Sequence, residues 1–142
     1  MIVIDSNILL RYLLNDDEKQ SAQAARLIQG EEKVLVTDAA LVETVWTLKG
    51  KKYQLAKPEI IETVLQLFQE TNLYFEEGQV VWKALSDFKN AKPVKGKEAD
   101  FADALIVCKG RSVIEKQKEV FNGSFTFDKT AQKLPGAKAP KN

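Results

Sequence analysis

A chain of 142 residues, 44% hydrophobic and 29% charged, can bury a core without disulfide or zinc staples, and this composition excludes a disordered polypeptide. The formal net charge of +1 excludes a global basic field, so any contact with phosphates must come from local lysine clusters or bound cations. The absence of histidine removes the His general base, the Ser-His-Asp and Cys-His nucleophile systems and every histidine-ligated metal site.

The start, Met1-Ile2-Val3-Ile4-Asp5, lacks the basic and long apolar regions of a signal peptide, and no apolar stretch approaches the ~20 residues that span a bilayer. A cytoplasmic protein with no membrane partner is expected. Ile2-Val3-Ile4 is a β-branched run without alternation, which predicts a strand buried on both faces. Ser6 or Asn7 can cap a helix over residues 8–14, and Asn15-Asp16-Asp17 makes a break and a fresh helix start. The next helix runs through residues 23–28 to Gly30, a candidate left-handed terminator. Val34-Leu35-Val36 repeats the strand pattern, and Thr37 or Asp38 caps a helix over 39–48 that Gly50 ends. Pro58 suits the first turn of a helix reaching Phe68. Residues 73–75 read as a third strand and 80–88 as a helix. Lys89, Lys92, Lys95 and Lys97 surround Pro93 and Gly96 in the clearest loop of the chain. A helix over 98–109 follows; residues 115–121 read as helix then strand. The alternating Ser124-Phe125-Thr126-Phe127 reads as a strand ending at Asp128. A brief helix over 129–133 stops at Pro135-Gly136.

Alternating strands and helices predict an α/β fold, a three-layer α/β/α sandwich with a central, mainly parallel sheet. No repeat, low-complexity segment or linker interrupts residues 1–142, which read as one domain with a frayed tail over 137–142.

Asp5 and Asp128 share a grammar, since each follows an apolar strand and precedes a helix. In a parallel sheet the carboxyl ends of strands face one edge, where ligands collect. Glu43 lies among Leu41, Val42, Val45, Trp46 and Leu48, which places it at or near the packed side, where an unpaired charge is costly. Asp100 and Asp103 occupy neighbouring positions of one helix face. Oxygen donors without His or Cys select hard cations, Mg²⁺ or Mn²⁺. Such an ion can neutralise a phosphodiester and activate a water. Asp5, Glu43, Asp103 and Asp128 are therefore the candidate catalytic and metal-binding residues, with Asp100, Ser6, Asn7 and Thr126 secondary. Lys89, Lys92, Lys95 and Lys97 are candidates to deliver positive charge to the mouth of the site. Each has a plainer alternative: Asp5 a helix cap, Glu43 a lysine partner, Asp100 a first-turn acid, Asp128 a turn residue and the lysines a solvated loop. Cys108, within the apolar run 104–108, reads as a small buried hydrophobe. Trp46 and Trp82 read as core or interface.

Ile2-Val3-Ile4-Asp5-Ser6-Asn7 resembles the opening of PIN domains, usually a hydrophobic strand, Asp, Thr or Ser, then Asn. The helix carrying Glu43 resembles their second acidic position, Asp100-Phe101-Ala102-Asp103-Ala104-Leu105-Ile106 their third, and Thr126-Phe127-Asp128-Lys129 their closing strand and fourth acid. Length and layout are similar to VapC-type toxins of toxin–antitoxin pairs. That resemblance implies Mg²⁺- or Mn²⁺-dependent cleavage of RNA, a homodimer, and a cognate antitoxin whose tail occupies the site. The competing readings are a catalytically inactive PIN-like protein-binding module and a related metal-dependent DNA nuclease or phosphatase. A dehalogenase-like phosphatase would want an aspartate where Asn7 stands, and a receiver domain an acidic pair where Ser6 follows Asp5.

Overall fold

The computed structural model describes residues 1–141 and divides the chain into two compact units, Met1–Glu76 and Glu77–Asn142. In the first unit the order is β1 (Ile2–Ile4), α1 (Ser6–Leu14), α2 (Glu18–Ile28), β2 (Val34–Val36), α3 (Asp38–Lys49), α4 (Lys57–Gln69) and β3 (Leu73–Phe75). The strands form a parallel sheet in the order β1-β2-β3, with Ile4 beside Val36 and Val36 beside Phe75. The predicted α/β class with parallel pairing is therefore what the chain forms.

That register brings the last residues of all three strands to one edge. The residues that follow the strands, Asp5, Thr37 and Glu76, therefore stand at that edge. Ile4, Val34, Val36 and Leu73 share one side of the sheet by register and are buried, and Leu9, Leu41, Leu48 and Ile60 are buried as well. Val3, midway along an edge strand, is 64% exposed. The expectation of a strand buried on both faces is thus corrected: β-branched residues favour the extended chain whether or not both faces are covered.

Helix boundaries follow local chemistry. Asn15 closes α1 in the left-handed conformation (φ 51°), and the Asp17 carboxylate accepts the Gln20 amide at 2.9 Å to open α2. Gly30, however, is not left-handed. A Cβ there would stand 2.7 Å from the Arg26 carbonyl oxygen, so glycine is needed for close approach rather than for φ.

The second unit holds α5 (Gly78–Asn90), α6 (Phe101–Lys116), β4 (Ser124–Phe125), a 3₁₀ turn (Ala131–Lys133) and β5 (Ala137–Lys138). On α5, Val81, Ala84, Leu85 and Phe88 recur at helical spacing and are buried, as are Phe101, Ala104 and Leu105 on α6. Phe88 and Phe101 meet edge-to-face, centroids 6.0 Å apart. Helix α6 begins three residues later than predicted and runs on to Lys116, so residues 115 and 116 extend it and no strand lies between α6 and β4. The tail does not fray from residue 137. Gly136, at φ 88°, turns the chain so that β5 pairs in parallel with β4. The strand before Asp128 therefore belongs to a two-stranded pair, and β1 to a separate three-stranded sheet.

Candidate active site

Asp5 leaves β1 in extended conformation and caps α1, its Oδ1 accepting the Ile8 amide at 3.0 Å. The cap predicted at Ser6 or Asn7 thus falls one residue earlier. Because Asp5 takes it, the Ser6 hydroxyl is released for another partner: it donates to Glu43 Oε2 at 3.0 Å. Asn7 is exposed in the first turn of α1. Asp5, Ser6, Thr37 and Glu43 line one cleft of about 530 Å³, whose remaining wall is largely apolar and includes Ile4, Ile8 and Leu27.

Glu43 is exposed, which corrects its predicted place near the packed side. On α3 the buried stripe is Ala40, Leu41, Thr44, Val45 and Leu48, and the exposed one holds Ala39, Glu43, Trp46 and Thr47. With 3.6 residues per turn, the apolar neighbours of Glu43 in sequence lie around the helix from it. Trp46 shares its face at 54% exposure, and Trp82 on α5 is 55% exposed, so neither is core.

Asp100 is the N-cap residue of α6, and Asp103 Oδ2 accepts the Asp100 amide at 3.2 Å. The pair is thereby organised around one helix start. Asp128 Oδ1 accepts both the Thr130 amide at 2.8 Å and the Thr130 hydroxyl at 2.7 Å. Thr126 Oγ1 accepts the Asp128 amide at 3.0 Å, so Thr126 shapes the turn that presents Asp128. The Thr130 hydroxyl, then the Thr130 amide, and more weakly the charge of Lys97, lower the Asp128 pKa below the usual carboxylate value. Lys89 lies in the last turn of α5, while Lys92, Lys95 and Lys97 are exposed on a tight hairpin where Val94 bridges Lys97 and Lys95 and Gly96 take positive φ.

The structure therefore gathers Asp5, Ser6 and Glu43 in the first unit, and Asp100 with Asp103, and Thr126 with Asp128, in the second. Among the described residues no three acids are grouped closely enough to hold a metal ion. Sequence reasoning missed Glu76, whose Oε2 accepts the Asp38 amide at 2.5 Å and so joins the end of β3 to the start of α3. Its signal was present: an acid directly after a short apolar strand, as at Asp5.

Cys108 is half-buried rather than fully buried, and its thiol donates to Asp87 at 3.5 Å. Desolvation, reinforced by the Asp87 charge, pushes its pKa to about 11, which removes it as a nucleophile near neutrality.

A parallel α/β unit with capping carboxylates at the carboxyl edge of its sheet belongs to the class of folds that bind ligands at that edge. This chain belongs to the PIN-domain family, whose model matches residues 2–113. The predicted PIN-like fold class is accordingly that of the family. Comparison with curated proteins returned no match. Among solved structures the chain is similar to VapC20 of Mycobacterium tuberculosis, described as a sarcin–ricin-loop-cleaving toxin, at 16% identity over 93% of each chain with a TM-score of 0.41.

Proposed function

We propose that the protein is a Mg²⁺- or Mn²⁺-dependent endoribonuclease, the toxin of a type II toxin–antitoxin module. Membership in the PIN family makes a nuclease the class of activity. The observation that carries the reading is that Asp5 and Glu43, acids 38 positions apart, line one cleft, where the hydroxyl of Ser6, the residue after Asp5, donates to Glu43. Asp5 Oδ2 and Glu43 Oε1 are left for a ligand, an oxygen-only donor set that fits a hard cation. We assign the ion to Asp5 and Glu43, and keep Asp103 and Asp128 as further candidate ligands, with Asp100, Asn7 and Thr126 as supporting candidates. Bound there, the ion supplies positive charge opposite a scissile phosphodiester. Ser6 keeps Glu43 oriented, and the Ile8 amide at the α1 N-terminus holds the Asp5 carboxylate in place. Lys89, Lys92, Lys95 and Lys97 supply positive charge to the RNA backbone.

The match over residues 2–113 runs through both units, so we take residues 1–142 as one PIN-like domain. A homodimer, a cognate antitoxin protein and a cytoplasmic location complete the proposal. Among the described residues no helix is long and apolar enough to cross a membrane.

The test is cleavage of labelled RNA by the intact protein with Mn²⁺. EDTA should abolish it, and Asp5→Asn and Asp103→Asn should each lower it by at least about 100-fold with circular dichroism unchanged. Cleavage surviving in the double variant would overturn the reading.

A further inference from the structure

Helices α5 and α6 border a cavity of about 390 Å³ that none of the candidate acids lines. Val80 on α5, Val107 and Cys108 on α6, and Pro135 form much of its wall. The volume falls at the low end of the about 300–1,000 Å³ of small-molecule sites, whose usual lining is apolar with a few polar groups.

Four charged side chains border the cavity: Lys83, Arg111, Glu115 and Lys116. Lys83 is paired with Asp87, and Lys116 with Glu77 at 2.8 Å. Arg111 differs. Its guanidinium carbon stands 4.5 Å from the centre of the Phe121 ring. Gly136 comes close to both: a Cβ there would lie 3.0 Å from Arg111 Nη2 and 3.1 Å from Phe121 Cε2. Stacking orients the guanidinium without using its N–H donors. Among the described residues no acceptor takes those donors, and Glu115, one turn along α6, is exposed and makes no ion pair with Arg111.

A half-buried cation held in orientation at an apolar cavity selects its ligand on two counts. The planar fork of donors matches a carboxylate through two parallel hydrogen bonds. One uncompensated positive charge matches one negative charge. A polynucleotide would need a row of unengaged cations, and both lysines here already hold acids. A neutral apolar molecule would leave the guanidinium without a partner.

We propose that this cavity binds a small amphipathic monocarboxylate, its carbon body against Val80, Val107 and Pro135 and its head on Arg111. The assignment is independent of the ribonuclease reading.

The test is titration of the full chain with octanoate, and separately with 2-naphthoate, followed in amide proton–nitrogen correlation spectra. Saturable shifts centred on residues 79–83, 107–112 and 135 are expected. Octanol carries the body alone and acetate the head alone, so each should bind at least about tenfold more weakly. Arg111→Gln should weaken octanoate about tenfold or more, and Arg111→Lys should not restore it. Glu115→Gln should bind at least as tightly as the wild type. Val80→Phe, which fills the cavity from a half-buried position, should abolish binding with thermal unfolding unchanged. Occupancy should also slow alkylation of Cys108, the only cysteine of the chain, by iodoacetamide. Full affinity in folded Arg111→Gln overturns the site. So does the absence of saturable shifts with both acids, shifts centred elsewhere, or octanol binding as tightly as octanoate. Should Arg111→Gln unfold, the octanol comparison and Val80→Phe still decide.

Discussion

Asp5 shows how a side chain that closes a helix start can also be proposed for chemistry. Its Oδ1 closes the start of α1, the plainer alternative raised by the sequence, and in doing so it fixes Oδ2 at the end of β1. The two roles separate under substitution, because asparagine caps a helix as well as aspartate does. Asp5→Asn should leave the urea midpoint nearly unchanged, whereas Asp5→Ala should cost about 1 kcal/mol of stability. Both variants should lose cleavage. Ser6 makes a parallel case. Ser6→Ala removes the donor to Glu43 and should lower Mn²⁺ affinity by roughly tenfold, with Ser6→Thr restoring it, as measured by calorimetry. The residue types and positions of these groups were legible in the sequence. The Ser6–Glu43 bond was not, because it joins residues 37 positions apart and exists only once α1 and α3 pack.

Within elements, periodicity was the reliable guide to where helices lie and a poorer guide to which way single residues face. Glu43 illustrates the failure: counting apolar neighbours in sequence overlooked the 100° turn per residue that carries them to the other side of α3. The junction of α5 with α6 shows a contact no sequence pattern announces. Glu77, just before α5, accepts from Lys109 at 2.8 Å, Lys116 at 2.8 Å and Ser112 at 2.6 Å, all on α6. Those bonds, the one to Lys109 first, lower its pKa from 4.5 to about 2. A carboxylate that holds its proton less tightly when folded stabilises the fold in full above the unfolded value near 4.5, and loses that contribution as pH falls toward 2. Glu77→Gln should therefore be less stable than the wild type at pH 7, by up to about 1 kcal/mol for so solvent-accessible a cluster. The difference should vanish by about pH 2 in urea titrations read across pH.

At the scale of the molecule, the two compact units divide a chain that belongs to one family over residues 2–113. If residues 1–142 form one domain, as proposed, calorimetry should give a single transition with equal calorimetric and van't Hoff enthalpies. Two resolved transitions would assign the units separate stabilities. Core truncation gives a further reading: a Leu→Ala change costs about 2–5 kcal/mol, so Leu41→Ala should depress the whole transition rather than the part containing α3. What the sequence by itself determined was the local content: the α/β class, most elements, several capping residues and the absence of histidine. These depend on interactions among neighbours along the chain. Tertiary structure alone decided that β4 pairs with β5, that Glu43 faces outward to meet Ser6, and that Glu76 joins the edge where Asp5 stands. Each depends on contacts between segments distant in the chain, and such contacts leave no period in the sequence to read.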